Sequence, residues 1–207
     1  MMKKERRRIF LLVTVAVFIT FLQGCFPLFI AGVGAGALSF TDRRSTGAQI
    51  EDEAIEIKTS NRFKEQFGSA QYQVNVTSYN RRVLLTGQAA SEEIKNKLTQ
   101  IAQGVQNVVS VTNEVIIAGN SSVAARSNDG LITSNVKARL VTSSGGRVNA
   151  NHVKVLTENG TVYLMGIVTP AEGDAAAEIA RTSSGVQKVV KVFEYVDKAP
   201  ELGTAAK

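Results

Sequence analysis

The chain has 207 residues, one cysteine, one histidine, no tryptophan and a formal net charge of +6. Five basic residues and one acid in residues 1–24 hold +4 of that charge, which leaves +2 for the remainder and removes the electrostatic case for a nucleic-acid partner. One cysteine excludes an intrachain disulfide, and one His with one Cys excludes a His/Cys zinc cluster.

The chain opens with Lys3, Lys4, Arg6, Arg7 and Arg8, followed by an apolar run from Ile9 to Leu22. A basic region, an apolar region and small residues before a cut site make a secretory signal. Leu22-Gln23-Gly24-Cys25 resembles the lipobox of bacterial lipoproteins. That resemblance implies a diacylglycerol on the Cys25 thiol, cleavage after Gly24 and an acyl chain, of the palmitate kind, on the new amino terminus. No other cofactor is expected. Two other readings stay open: Cys25 as an ordinary buried thiol, and Ile9–Leu22 as an uncleaved anchor. The run is 14 residues long, short against the roughly 20 that a spanning helix needs.

Cleavage after Gly24 leaves 183 residues. Residues 25–50 read as a tether. Its Gly32-Val33-Gly34-Ala35-Gly36 has the letters of a dinucleotide loop but no preceding strand, and such a loop belongs inside a βαβ unit. Thr41 to Gly47 is polar and expected to be extended. From Glu51 onward one pattern occurs twice, over residues 51–118 and 129–197, with a linker at 119–128 and a disordered tail at 198–207. Ile55 and Phe63 match Ile132 and Leu140 at an offset of 77. Val74, Val76, Val83, Leu85 and Gly87 match Val153, Val155, Val162, Leu164 and Gly166 at 79. Gly104, Val105, Val108, Val109, Val111 and Val115 match Gly185, Val186, Val189, Val190, Val192 and Val196 at 81.

Each copy reads as helix, strand, strand, helix, strand. Ile55, Thr59, Phe63 and Phe67 make one helical stripe. Tyr72 to Thr77 alternates with the period of a half-buried strand; Tyr79-Asn80-Arg81 is a turn, and Val83 to Gly87 returns. The second copy turns at Glu158-Asn159-Gly160, and Asn-Gly is the strongest short hairpin signal. Ser91 before Glu92 and Glu93 opens a helix, as does Thr169 before Pro170. Gly104 and Gly185 are expected to end these helices as left-handed caps. Val108–Ile117 and Lys188–Val196 are the last strands. The fold class is therefore α+β: two tandem α-β-β-α-β domains, each a three-stranded mixed sheet packed on two helices, after a lipoprotein signal and tether.

Val83-Leu84-Leu85-Thr86-Gly87 and Val162-Tyr163-Leu164-Met165-Gly166, each followed by a helix and a Gly-Val pair, make each unit similar to the BON domain of bacterial envelope proteins. Lipobox plus two such units resembles the dual-BON outer-membrane lipoproteins of division sites, and Thr41 to Ser45 and Val155 to Gly160 strengthen that resemblance. It implies anionic phospholipid binding (phosphatidylglycerol, cardiolipin), envelope maintenance, no enzyme activity and no nucleic-acid partner. Phe26 after the cysteine, in place of Asp, implies sorting to the inner leaflet of the outer membrane, facing the periplasm.

The first helices of the two copies differ. In the first copy Glu51, Asp52, Glu53 and Glu56 form an acidic start that anionic lipid would repel, and they read equally as a solvated face. In the second, Ile132, Val136 and Leu140 form the core stripe. Nearly opposite lie Leu131, Ser134, Ala138 and Val141, with Asn135 beside them and Lys137 and Arg139 on the two borders. An apolar strip with cationic borders suits a membrane surface, each cation contributing about 1 kcal/mol near anionic lipid. Packing of this strip on the other domain, and an ordinary surface, are the alternatives. The remaining chemistry is sparse: His152 reads as a core or surface residue, Glu172, Asp174 and Glu178 as a solvated face, and no serine has a nucleophile elbow or base. The expected function is a non-enzymatic, lipid-binding lipoprotein. The alternative is a protein-docking adaptor for an envelope enzyme or assembly machine, held to lipid only through Cys25.

Overall fold

The computed structural model describes residues 42–68 and 70–198. The signal, Cys25, the tether up to residue 41 and the tail from residue 199 lie outside the described residues. The elements run α1 (Thr46–Gln66), β1 (Tyr72–Tyr79), β2 (Arg82–Ala89), α2 (Glu92–Gln103), β3 (Ser110–Asn113), β4 (Ile116–Ile117), α3 (Val123–Ser143), a 3₁₀ turn (Ala150–His152), β5 (Lys154–Glu158), β6 (Thr161–Val168), α4 (Pro170–Arg181) and β7 (Lys188–Tyr195). Two boundaries differ from expectation because serines cap the helices earlier. Ser45 Oγ accepts from the Ala48 N–H at 3.1 Å, so Thr46 and Gly47 are helical and not extended. Ser122 Oγ accepts from the Ala125 N–H at 3.1 Å, so residues 123–128 belong to α3 and not to a linker.

In each copy the second strand is central, antiparallel to the first and parallel to the last. The last strand of the first copy is broken into β3 and β4, both paired with β2. At the break, the Asn113 side chain donates to Lys95 O and Thr99 Oγ1 and accepts from the Val115 N–H. Alternation sorts the core. Val83, Leu85 and Ala89 pack with Ile55, Phe63, Leu98 and Ala102; Val162, Leu164 and Val168 pack with Ile132, Val136, Leu140 and Ile179. The intervening residues Leu84, Tyr163, Met165 and Ile167 join Tyr79 in a third buried cluster between the two sheets. Both central strands are thus buried on both faces, and His152 is a buried residue at the edge of the second core. A Cβ on Gly87 would collide with the carbonyl of Gln73, and one on Gly166 with that of His152, which is why glycine stands at both places.

The repeat is real, but its third block is misaligned by the apolar letters. The helix offset of 77 and the hairpin offset of 79 hold: α1 and α3 differ by 77 at both ends, and Arg82 and Thr161 open the returning strands. From the next N-caps, Ser91 and Thr169, the structural offset is 78, not 81. Val83 pairs with Val111 and Val162 with Val189. Gly104 therefore corresponds to Thr182, and Gly185 to Asn107. Gly104 is right-handed (φ −79°), so it is not a left-handed cap; Asn107 (φ 70°) and Gly185 (φ 84°) are the left-handed pair, each in the loop after its helix and before the last strand.

Polar contacts also join the domains. Gln88 donates to Glu158 at 2.9 Å and Asn75 to the same carboxylate at 3.2 Å. Arg82 meets Glu194 at 3.2 Å and Lys154 meets Glu56 at 3.2 Å. Ahead of α1, Arg44 stacks on the Tyr79 ring at 4.0 Å and pairs with Asp42 at 2.7 Å and Asp52 at 2.9 Å. Its neighbour Arg43 reaches the other domain, donating to both Glu172 oxygens at 2.7 and 2.8 Å and to Ile167 O at 2.8 Å. Glu172 is therefore not a solvated acid, whereas Asp174 and Glu178 are exposed and paired with Lys191 and Arg181. Bonds from Arg43 hold the Glu172 carboxyl down at about 2. Burial pushes Asp42 up, but bonds from Arg44 outweigh it and keep it below its usual value.

Candidate lipid-facing surface

Helix α3 buries Asp129, Ile132, Val136 and Leu140 against its own sheet. On the other side Leu131 and Val141 are each 71% exposed, and Ser134, Lys137 and Ala138 are exposed with them. Packing of this strip on the first domain is thereby excluded. Asn135 is half-buried at the border. The Ser134 hydroxyl turns inward to Gly130 O at 2.9 Å, which makes the strip less polar than its letters.

Arg139 does not serve as a free border cation. Its guanidinium donates to Ile179 O at 3.1 Å, Ser183 Oγ at 2.8 Å and Thr182 Oγ1 at 3.1 Å, at the C-terminal end of α4. A helix leaves its last carbonyls unsatisfied and carries partial negative charge there, so this end attracts a cation. The Thr182-Ser183 pair directly after Arg181 was the available signal. Val123 and Arg126, in the stretch expected to be a linker, also belong to this helix. Val123 is 71% exposed and extends the strip by two turns. At 100° per residue, the exposed Arg126 falls on the same border as Lys137. The surface is an apolar strip with cations along one edge, not two.

The start of this helix holds a second feature the sequence reading did not single out. Asp129, buried, accepts from the N–H groups of Asn159 at 2.9 Å and Gly160 at 2.8 Å. Asp52 does the same for Asn80 at 2.8 Å and Arg81 at 2.7 Å. Each carboxylate thus satisfies both amides of a two-residue hairpin turn whose residues have positive φ. Asp52 is buried, which corrects its reading as a solvated acid; Glu56 likewise accepts from the Ser78 N–H at 2.8 Å. The fixed turn and α3 together border a cleft of about 370 Å³ lined by Gln73, Asn75, Arg126, Gly130 and Glu158. Among the described residues there is no group of His, Cys, Asp and Glu fit to hold a metal ion, and no helix long and apolar enough to cross a membrane.

Two hairpin-clamped α-β-β-α-β units define the class: the chain belongs to the BON domain family, whose model matches residues 51–119 and 128–197. Over most of its length it is similar to the outer membrane lipoprotein DolP of Haemophilus influenzae, 44% identical over 86% of this chain and 91% of that protein. It is also similar to a 21 kDa hemolysin of Actinobacillus pleuropneumoniae (40% identical, 75% of this chain, 79% of that one) and to the osmotically inducible protein Y of Escherichia coli (29% identical, 75% and 78%). The DolP likeness supports an outer-membrane lipoprotein with two BON domains.

Proposed function

We propose that this is a non-enzymatic lipoprotein, held through acylated Cys25 in the inner leaflet of the outer membrane, that lays the outer face of α3 on anionic phospholipid and so helps maintain the envelope. The observation that carries the reading is the exposure of Leu131 and Val141 on the side opposite the core stripe, with Lys137 and Arg126 along one edge. Apolar side chains and cations on one helix face are what binding in the interfacial plane requires. Two free cations contribute about 2 kcal/mol near an anionic surface. The acyl chains add to this by raising the effective concentration of the domain at the bilayer. A division-site address is proposed on family resemblance alone.

The test is co-sedimentation of residues 42–207 with neutral vesicles and with phosphatidylglycerol or cardiolipin vesicles. Binding is expected only to the anionic set, falling with salt. The pair Lys137→Glu and Arg126→Glu is expected to abolish it, and Leu131→Asp to weaken it severalfold, while Arg139→Glu acts through stability. Equal pelleting of the charge-reversed and natural chains would overturn the assignment of this face. A second reading, a protein-docking adaptor, is favoured by Ile50 and Ile57, 65% and 54% exposed on one face of α1. It predicts an envelope partner lost on Ile50→Asp with Ile57→Asp and retained on reversal of the α3 charges.

A further inference from the structure

We propose that Asp42, Arg43 and Arg44 form a latch, a segment outside both repeats that makes the two domains one cooperative body. This inference does not rest on lipid binding. Arg44 belongs to the first domain: it stacks on Tyr79, pairs with Asp52 and runs directly into α1 through Ser45. Arg43, one residue away, places its guanidinium in the second domain. Its side chain is only 4% exposed, and three of its N–H bonds are made there, two to Glu172 and one to Ile167 O.

The partner is prepared in advance. Glu172 is the acid of a capping box, accepting from the Thr169 N–H at 2.8 Å while Thr169 Oγ1 accepts from the Glu172 N–H. Its oxygens are therefore oriented before Arg43 arrives, and a bidentate pair with a fixed acceptor is the strong form of this interaction.

The rest of the interface explains why the latch decides. The first domain contributes only Tyr79 and Leu84 to the buried apolar cluster between the sheets. The other interdomain ion pairs, Arg82–Glu194 and Lys154–Glu56, have side chains between 27% and 39% exposed. Solvent and salt screen such pairs, and they contribute little. Of these three interdomain pairs, Arg43–Glu172 is the one withdrawn from water, and Arg43 also bonds the carbonyl of Ile167, a member of the apolar cluster.

The experiment uses the full-length chain in detergent micelles with two readouts. Calorimetry counts unfolding transitions, and carbodiimide cross-linking followed by mass spectrometry measures the yield of the Lys154–Glu56 bond as a report of closure. The natural chain is expected to unfold in one transition and to cross-link. Arg43→Gln and Glu172→Gln, the latter keeping a side chain that still serves a capping box, are each expected to split the transition in two and to lower the cross-link yield severalfold. The double variant is expected to be no worse than Glu172→Gln alone. Should Arg43→Gln fail to fold, Arg43→Lys keeps the charge, loses the fork and must still split the transition. One transition with full cross-linking in Arg43→Gln and Glu172→Gln, or in Arg43→Lys where that variant has to stand in, would overturn the latch.

Discussion

Asp52 and Asp129 occupy equivalent places and do equivalent work, yet their replacement should not be equivalent. Asparagine at position 129 keeps one acceptor and turns the other into a donor, leaving one buried turn amide without a partner. A loss of about 1–3 kcal/mol is expected for Asp129→Asn, read by urea unfolding. Asp52→Asn should cost more, since that carboxylate also holds Ser78 Oγ at 2.7 Å and Arg44. Glu172 gives a pH dependence of definite sign. Its folded value of about 2 lies below the ordinary 4.5 because Arg43 bonds the ionised form. The stability it supplies is therefore complete above about pH 4.5 and lost as pH falls toward 2. Thermal unfolding from pH 6 down to pH 2 should show this loss, and Arg43→Gln should flatten it. At this scale the Asn159-Gly160 turn and both second-helix caps, Ser91 and Thr169, were legible, because turn and cap chemistry is local. The long-range partners of Asp52, Arg43 and Arg139 were not, since nothing in the spacing of charges along a chain says which of them fold back into the interior.

Helix and strand types were legible wherever the apolar period was long, as in α1 and α3. Boundaries failed where a serine cap lay inside a polar stretch, at Ser45 and Ser122. The failure in the third block has a different cause. Gly104-Val105 and Gly185-Val186 share letters but not conformation, and the residue equivalent to Gly185 is Asn107, the other residue type that tolerates a left-handed backbone. The two glycines should therefore respond in opposite ways. Gly104→Ala meets nothing nearer than 3.5 Å at a right-handed φ and should be neutral or stabilising by up to about 1 kcal/mol. Gly185→Ala places a Cβ 2.9 Å from Ile132 at φ 84° and should be destabilising by more than that. Denaturant midpoints of the two variants decide between an offset of 78 and one of 81. The α3 strip was legible in Leu131, Ala138 and Val141, which depend only on the helical period, but not in Val123, which stood in what read as a linker. Its cationic edge was misjudged because Arg126 stood in what read as a linker and Arg139 is claimed by the end of α4.

The described residues outside the latch form two sheets face to face, with α1 and α2 on the outer side of one and α3 and α4 on the outer side of the other, as the core clusters require. The face-to-face packing was not read from the sequence; its available signal was the apolar run Val162 to Val168 in β6 and the shorter Val83-Leu84-Leu85 in β2. A strand buried on both faces reads as a run, whereas one with a wet face alternates. Leu84, Met165 and Ile167 are the residues that such a run adds.

That double burial bears on what a single repeat can be. Residues 129–197 alone would carry Tyr163, Met165 and Ile167 on an open sheet face, with only water where the first domain stands. A chain with one such repeat must find its cover in a second copy, and a two-fold arrangement of identical sheets supplies it with the same patch on both sides. Residues 120–198 expressed alone should sediment as a dimer or larger species, and Met165→Asp should return them to monomers. The tandem repeat then amounts to a dimer written into one polypeptide, in which each half covers the inner face of the other and the outer helices are left to differ.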